Sequence, residues 1–286
     1  MNQYRAPLMD ILREVCPSER FAWLERAEQD IRGAADTAEE LATLSAIARR
    51  KMSDVPLPQN LAPLLTPAGE VELARWTAAD AARTVLILAA AGVAPDGGRS
   101  AIEFLFRHGD ETERAVVVRG LALYDDGTAL KQLILEAGRA NSLQLISAAS
   151  LGNPYPAAHY SDREFNQMVL KNLFVGLSID GVTGLEARAN PELSRMCEDY
   201  YDERTAAGRE VPADIWLAMG PYAGARAEGL ITEHLSHDSP EHRCYACIAT
   251  GRRLQQRPQL RWLLTQMKTT EADPRVLKAL ETALAV

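Results

Sequence analysis

Asp110-Glu111-Thr112-Glu113-Arg114-Ala115-Val116-Val117-Val118-Arg119-Gly120-Leu121-Ala122-Leu123-Tyr124 is the stretch whose reading decides the fold. Its β-branched run, Val116-Val117-Val118, is a strand signal. Yet its apolar positions recur at helical spacing and its start is capped, so the spacing predicts a helix over 110–124. Elsewhere strand signals are nearly absent and helix punctuation is dense. Thr37-Ala38-Glu39-Glu40 and Ser161-Asp162-Arg163-Glu164 have the form of capping boxes. Asn190-Pro191, Ser239-Pro240 and Asp273-Pro274 each set an N-cap residue before a proline at the first helical position. Gly33, Gly92, Gly109, Gly176 and Gly208 stand where helices end. The chain reads as all-α.

The predicted helices come in pairs: 100–108 with 110–124, 128–140 with 142–151, 161–175 with 190–207, 212–223 with 225–234, and 239–253 with 258–268. A last helix covers 273–285. Units of this size built from antiparallel helix pairs are the pattern of a HEAT/armadillo-like α-solenoid, although no strict motif repeats. The proline-rich stretch from Val55-Pro56-Leu57-Pro58 to Thr66-Pro67 cannot be helical throughout. The expected organisation is an N-terminal helical hairpin over 1–54, a linker over 55–68 and a solenoid body over 69–286.

The 286 residues carry 31 basic and 39 acidic side chains, a net charge of −8, which argues against nucleic acid or an anionic membrane as partner. Arg252, Arg253, Arg257 and Arg261 are interspersed with Gln and Leu and read as a solvated helix face. The N-terminus lacks the order of a signal peptide, and the longest apolar run, Thr84 to Val93, is too short for direct membrane insertion. Four cysteines without a secretory signal read as reduced thiols, so a cytoplasmic location is expected.

Candidate site residues concentrate in 153–217, where polar side chains interrupt apolar helical patterns. On the helix from Ser161, the apolar arc of Phe165, Met168, Val169 and Leu173 also carries Asn172, and Asn166 lies on the adjoining arc. Buried asparagines can grip a ligand or brace the Asn153–Tyr160 loop above them. On the following helix Arg204 falls on the stripe of Leu193, Met196, Cys197 and Tyr200, and a buried guanidinium demands an anionic partner. The acidic run Glu198-Asp199-Tyr200-Tyr201-Asp202-Glu203 reads as a solvated face, with Arg195 pairing to Glu198 or Asp199. Cys244 and Cys247 form a C-x-x-C near His234, His237 and His242, but inside a helical pattern and not on the tight turn of a zinc ribbon. The alternative is a metal held by His237, His242, Cys244 and Cys247. No cofactor is expected, and no phosphate loop, nucleophile elbow or H-E-x-x-H is present.

The strings Asn153-Pro154-Tyr155-Pro156-Ala157, Asn166-Gln167-Met168-Val169-Leu170-Lys171 and Leu185-Glu186-Ala187-Arg188-Ala189-Asn190 resemble the EboA family of bacterial proteins. Asp199-Tyr200, Glu203-Arg204, Arg209, Val211-Pro212 and Trp216-Leu217 extend the likeness, which covers about a quarter of the chain. The Cys244–Cys247 pair lies outside it. The resemblance implies a role in metabolite traffic across the cell envelope. It implies neighbours that include a membrane prenyltransferase, and it supplies no catalytic residue. Two readings follow. In one, a non-catalytic scaffold or metabolite-binding protein holds a small polar ligand with Asn153, Tyr155, Asn166, Asn172, Arg188, Tyr200 and Arg204. In the other, an enzyme acts on a sugar-, cyclitol- or prenyl-phosphate, with Arg188 and Arg204 holding the anion and His159 or a carboxylate as acid or base.

Overall fold

The computed structural model describes residues 2–125 and 127–285. Among them the chain is all-α apart from one short hairpin, and it divides into two compact units, one up to Tyr160 and one from Ser161 onward. The first unit holds α1 (Asn2–Val15), α2 (Ser18–Gly33), α3 (Thr37–Met52), β1 (Leu64–Thr66), β2 (Gly69–Val71), α4 (Ala78–Val93), α5 (Arg99–His108), α6 (Glu111–Arg119), α7 (Leu121–Tyr124), α8 (Lys131–Arg139), α9 (Leu143–Ser150) and α10 (Tyr155–His159). The second holds α11 (Asp162–Val175), α12 (Pro191–Ala206), α13 (Ile215–Met219), α14 (Ala225–His234), α15 (Pro240–Gly251), α16 (Leu260–Thr270) and α17 (Pro274–Leu284).

In the first unit α4 is apolar nearly all round and buried from Ala78 to Ala91, and it packs against α1, α2, α3, α5, α6 and α7. This central helix is a hub, unlike the neighbour-only stacking of a solenoid. Its N-terminus is closed by a reciprocal Thr77–Asp80 capping box, and Asp80 also accepts from Arg119 Nη1 at 2.7 Å. The first 54 residues carry three helices where two were expected. Asp36, one residue before the expected cap, accepts from the Ala38 and Glu39 amides and starts the third. The proline-rich stretch contributes β1, which pairs antiparallel with β2. Leu57 N–H donates to the Trp76 carbonyl at 2.9 Å, which holds the stretch to this unit.

Two predicted helices are broken. The helix over 110–124 stops at Gly120, because the Tyr124 hydroxyl folds back to donate to the Val117 carbonyl. A Cβ at Gly120 would lie 3.0 Å from the Tyr124 ring, so only glycine leaves room for that return. The helix over 212–223 shrinks to α13 followed by a 3-10 turn at Gly220–Tyr222, where Pro221 cannot donate. In the second unit α15 packs against α13, α14, α16 and α17. Its closest approach puts Gly251 on Ala283: a Cβ there would come within 2.5 Å of Ala283 Cβ.

Candidate functional site

In the first unit Asn153 is buried and wholly engaged with backbone. Its Nδ2 donates to the Val118 and Ala148 carbonyls at 3.0 Å each, and its Oδ1 accepts from Tyr155 N–H at 3.1 Å. Tyr155 is fully buried, with its hydroxyl 2.7 Å from Asp125 Oδ2 and 3.0 Å from the Gly127 carbonyl. Burial and the Asp125 carboxylate both push its ionisation up, so the hydroxyl acts as a neutral donor. His159 leans on Tyr155 with ring centroids 4.4 Å apart, and its buried Nε2 finds no hydrogen-bond partner among the described residues.

In the second unit Asn166 and Asn172 are both buried on α11. Asn166 exchanges amide hydrogen bonds with Asn190 at 3.1 and 2.9 Å. Asn190 Oδ1 also accepts from Leu193 N–H, so this pair ties α11 to the capped start of α12. Arg188 donates to Asp162 Oδ1 at 3.0 Å and lies over the Phe165 ring. The Tyr200 hydroxyl donates to the Leu173 carbonyl at 3.4 Å. On the acidic face of α12, Arg195 bonds Glu192 and Asp199, and Arg226 bonds Asp202.

Arg204 departs from expectation. It is half-buried, and its partner is a backbone carbonyl: Nε and Nη2 both donate to Glu210 O. The cause is local. The helix α12 ends at Ala206, Gly208 takes the left-handed conformation at φ 62°, and the returning chain brings the Glu210 carbonyl to the guanidinium. Among the described residues Arg204 makes no ion pair, and it keeps N–H donors beyond those given to Glu210.

Arg204 opens onto a pocket of about 280 Å³ whose polar lining also includes Ser178, Glu210, Asp214, Glu241 and His242. Asp214 is its deepest acid. Its Oδ2 accepts from Ile179 N–H at 2.6 Å and lies 2.8 Å from Ser178 Oγ, which is also 2.8 Å from Asp180 Oδ1. One hydroxyl hydrogen cannot serve two carboxylates at once, and the neighbouring Asp180 carboxylate disfavours charge on Asp214. Burial raises the Asp214 pKa, and its hydrogen bonds from Ile179 and Ser178 offset part of that. Sequence reasoning misses Asp214 because the pattern over 212–223 predicts one continuous helix. The available signal was a lone carboxylate beside the apolar run Ile215-Trp216-Leu217-Ala218.

The cysteines and histidines separate. Cys247 is buried against Met267 Sδ at 3.5 Å, its thiol pushed up to about 12 by burial, and Cys244 faces the Arg275 carbonyl. The compact group is His234, His237 and His242, whose nearest ring nitrogens lie within 4.8 Å of one another. His242 accepts from Trp216 Nε1–H at 3.3 Å, and burial with its two imidazole neighbours lowers its pKa to about 4. Burial lowers that of His234 as well.

A family model described as metabolite traffic protein EboA matches residues 5–220, more than half of the chain. That span contains Ser178, Arg204 and Asp214, whereas the three histidines lie beyond it. Comparison with curated proteins and with solved structures finds no match.

Proposed function

Because the chain belongs to the EboA family, we propose that it is a non-catalytic, small-metabolite-binding protein of a biosynthesis or export pathway, with its ligand in the Arg204 pocket. The observation that carries this reading is a guanidinium that makes no ion pair among the described residues and lines the same pocket as a buried carboxyl group. The groove beside Asn166 is wider, about 850 Å³, but its buried amide is spent on Asn190 and Arg195 on Glu192 and Asp199, and its other polar groups, Asp162, Arg163 and Gln167, are exposed side chains. The Arg204 pocket combines remaining donors with carboxylate acceptors. That mixture suits a hydroxylated metabolite carrying one anionic group, and the volume suits one no larger than a phosphosugar or cyclitol phosphate. The family's description as metabolite traffic protein supports the same role. On this reading the ligand passes among pathway proteins that include a membrane prenyltransferase; among the described residues no helix is long and apolar enough to cross a membrane.

A thermal-shift screen against phosphosugars, cyclitols and prenyl phosphates tests the proposal. A ligand at 100 times its dissociation constant adds about 2.7 kcal/mol of stability, an easily visible shift. A stabilising ligand recovered unchanged supports it, and the absence of any stabilising ligand counts against it. One observation favours a second reading. Asp214 lines the same pocket as Arg204, and burial moves its pKa upward, the direction that suits a general acid acting on a bound sugar-, cyclitol- or prenyl-phosphate. Phosphorus NMR of the stabilising ligand incubated with the protein separates the two, since only the enzyme converts it.

A further inference from the structure

We propose that His234, His237 and His242 form a binding site for one borderline divalent cation of the Zn²⁺ class. The local fold assembles it from a short stretch of chain. His234 is the last residue of α14, His237 sits in the connecting turn, and His242 lies in the first turn of α15 behind Pro240. The ring centroids stand 5.1, 5.3 and 4.3 Å apart. Three imidazoles brought together without a carboxylate among them have no charge to balance, and they offer lone pairs when neutral. Their environment favours that neutral state: His234 and His242 are buried beside Trp216. The guanidinium of Arg243, which donates to the His237 carbonyl, is paired with Glu271 at 2.8 and 2.9 Å.

The hydrogen bonds say how the ligand set would form. His234 Nδ1 lies 2.8 Å from the Leu230 carbonyl; as an N–H donor there it leaves the Nε2 lone pair free, the arrangement that backbone carbonyls impose on metal-bound histidines. Two bonds must yield. One is the long contact of Trp216 Nε1–H to His242 Nδ1 at 3.3 Å, and the other is Ser239 N–H to His237 Nδ1 at 3.0 Å. Ligation through His237 Nε2 moves its proton to Nδ1, and the released Ser239 amide is close enough to the surface to take water. Nitrogens bound tetrahedrally at ~2.0–2.1 Å stand about 3.3 Å apart, so a group within 4.8 Å has to close by at most about 1.5 Å. His237, in the turn and the least buried of the three, supplies that movement.

Imidazole donors select Zn²⁺, Co²⁺ or Ni²⁺ over Mg²⁺ and Ca²⁺, and three protein ligands leave a fourth position open. His242 lines the Arg204 pocket and His237 lines a groove on α16, so the cluster borders both. The site stands on its own geometry and does not rest on the metabolite reading.

The test is Co²⁺ titration of the tag-free, metal-free full chain, read by visible absorption and by melting temperature. One equivalent with the intense band of tetrahedral cobalt, displaced by Zn²⁺ and not by Mg²⁺, is expected. His237→Ala should melt like wild type and weaken binding at least about tenfold. The double variant His108→Ala/His159→Ala removes the chain's other two histidines and should bind as wild type does. No cobalt band at saturating excess would overturn the proposal. So would binding that His237→Ala leaves intact, or binding lost in the double variant.

Discussion

Replacing Asn153 by alanine separates a brace from a ligand contact. The side chain satisfies three buried backbone groups: the Val118 and Ala148 carbonyls and the Tyr155 amide. Val118 and Ala148 stand in the last turns of α6 and α9, where carbonyls run out of helical partners. Each orphaned buried group costs ~1–3 kcal/mol, so the variant should lose about 4 kcal/mol, roughly 10 °C in melting temperature for a unit of this size. Asn153→Asp refines the test. It keeps the acceptor for Tyr155 but turns two donors into oxygens facing two carbonyls. Its folded pKa must therefore rise above the ordinary ~4. The part of its deficit due to ionisation is absent below about pH 4, grows as pH rises through that value and levels at the raised folded pKa. Urea unfolding followed by circular dichroism, at neutral pH and in mild acid, measures both. A deficit under about 1 kcal/mol for Asn153→Ala would refute the brace, as would an Asn153→Asp deficit that does not shrink in acid.

Acid should act through His242. Its folded pKa is depressed from 6.5 to about 4, so the stability it lends is complete above 6.5 and declines as pH falls toward 4. Across that window wild type should lose ~2 kcal/mol more than His242→Asn, which still accepts from Trp216; urea midpoints across the window read the difference. Asp214→Asn retains an acceptor for Ile179 N–H and gains a donor for Ser178, so unfolding at neutral pH should stay within about 1 kcal/mol of wild type or improve. Asp214→Ala should cost ~2 kcal/mol. Because the Asp214 pKa is raised, the advantage of Asn over Asp should grow as pH rises from acid to neutral. Gly251→Ala drives a methyl against Ala283 and should cost ~1–3 kcal/mol despite alanine's better helix propensity. Adding Ala283→Gly should restore most of it, as thermal melts would show.

What the sequence makes legible is what local chemistry decides. The Ser161–Glu164 capping box forms as written, with Ser161 Oγ accepting from Glu164 N–H and Glu164 reaching back to Ser161 N–H. Asn190 caps α12 ahead of Pro191, and Gly176 ends α11 at φ 76°. The all-α class and the burial of Asn166 and Asn172 follow from periodicity. Features that depend on distant partners were hidden. The break at Gly120 depends on the Tyr124 hydroxyl reaching Val117, and the hairpin at Leu64–Thr66 depends on pairing with β2. Arg204 shows the limit most clearly. Helical projection put it on the apolar stripe, but it sits in the last turn, and the path of the chain after Gly208 decides what it meets. His234, His237 and His242 come close because a turn folds them together, which spacing alone does not reveal.

The central claim is that a small anionic metabolite binds at Arg204. Titration calorimetry of wild type and Arg204→Ala with phosphosugars and cyclitol phosphates tests it most directly, with melting curves to show that both proteins are folded. The account predicts a single site in wild type and at least about tenfold weaker binding in Arg204→Ala, the loss of one charge-assisted hydrogen bond. A wild type that binds none of these compounds, or an Arg204→Ala variant that binds one equally well, would contradict it.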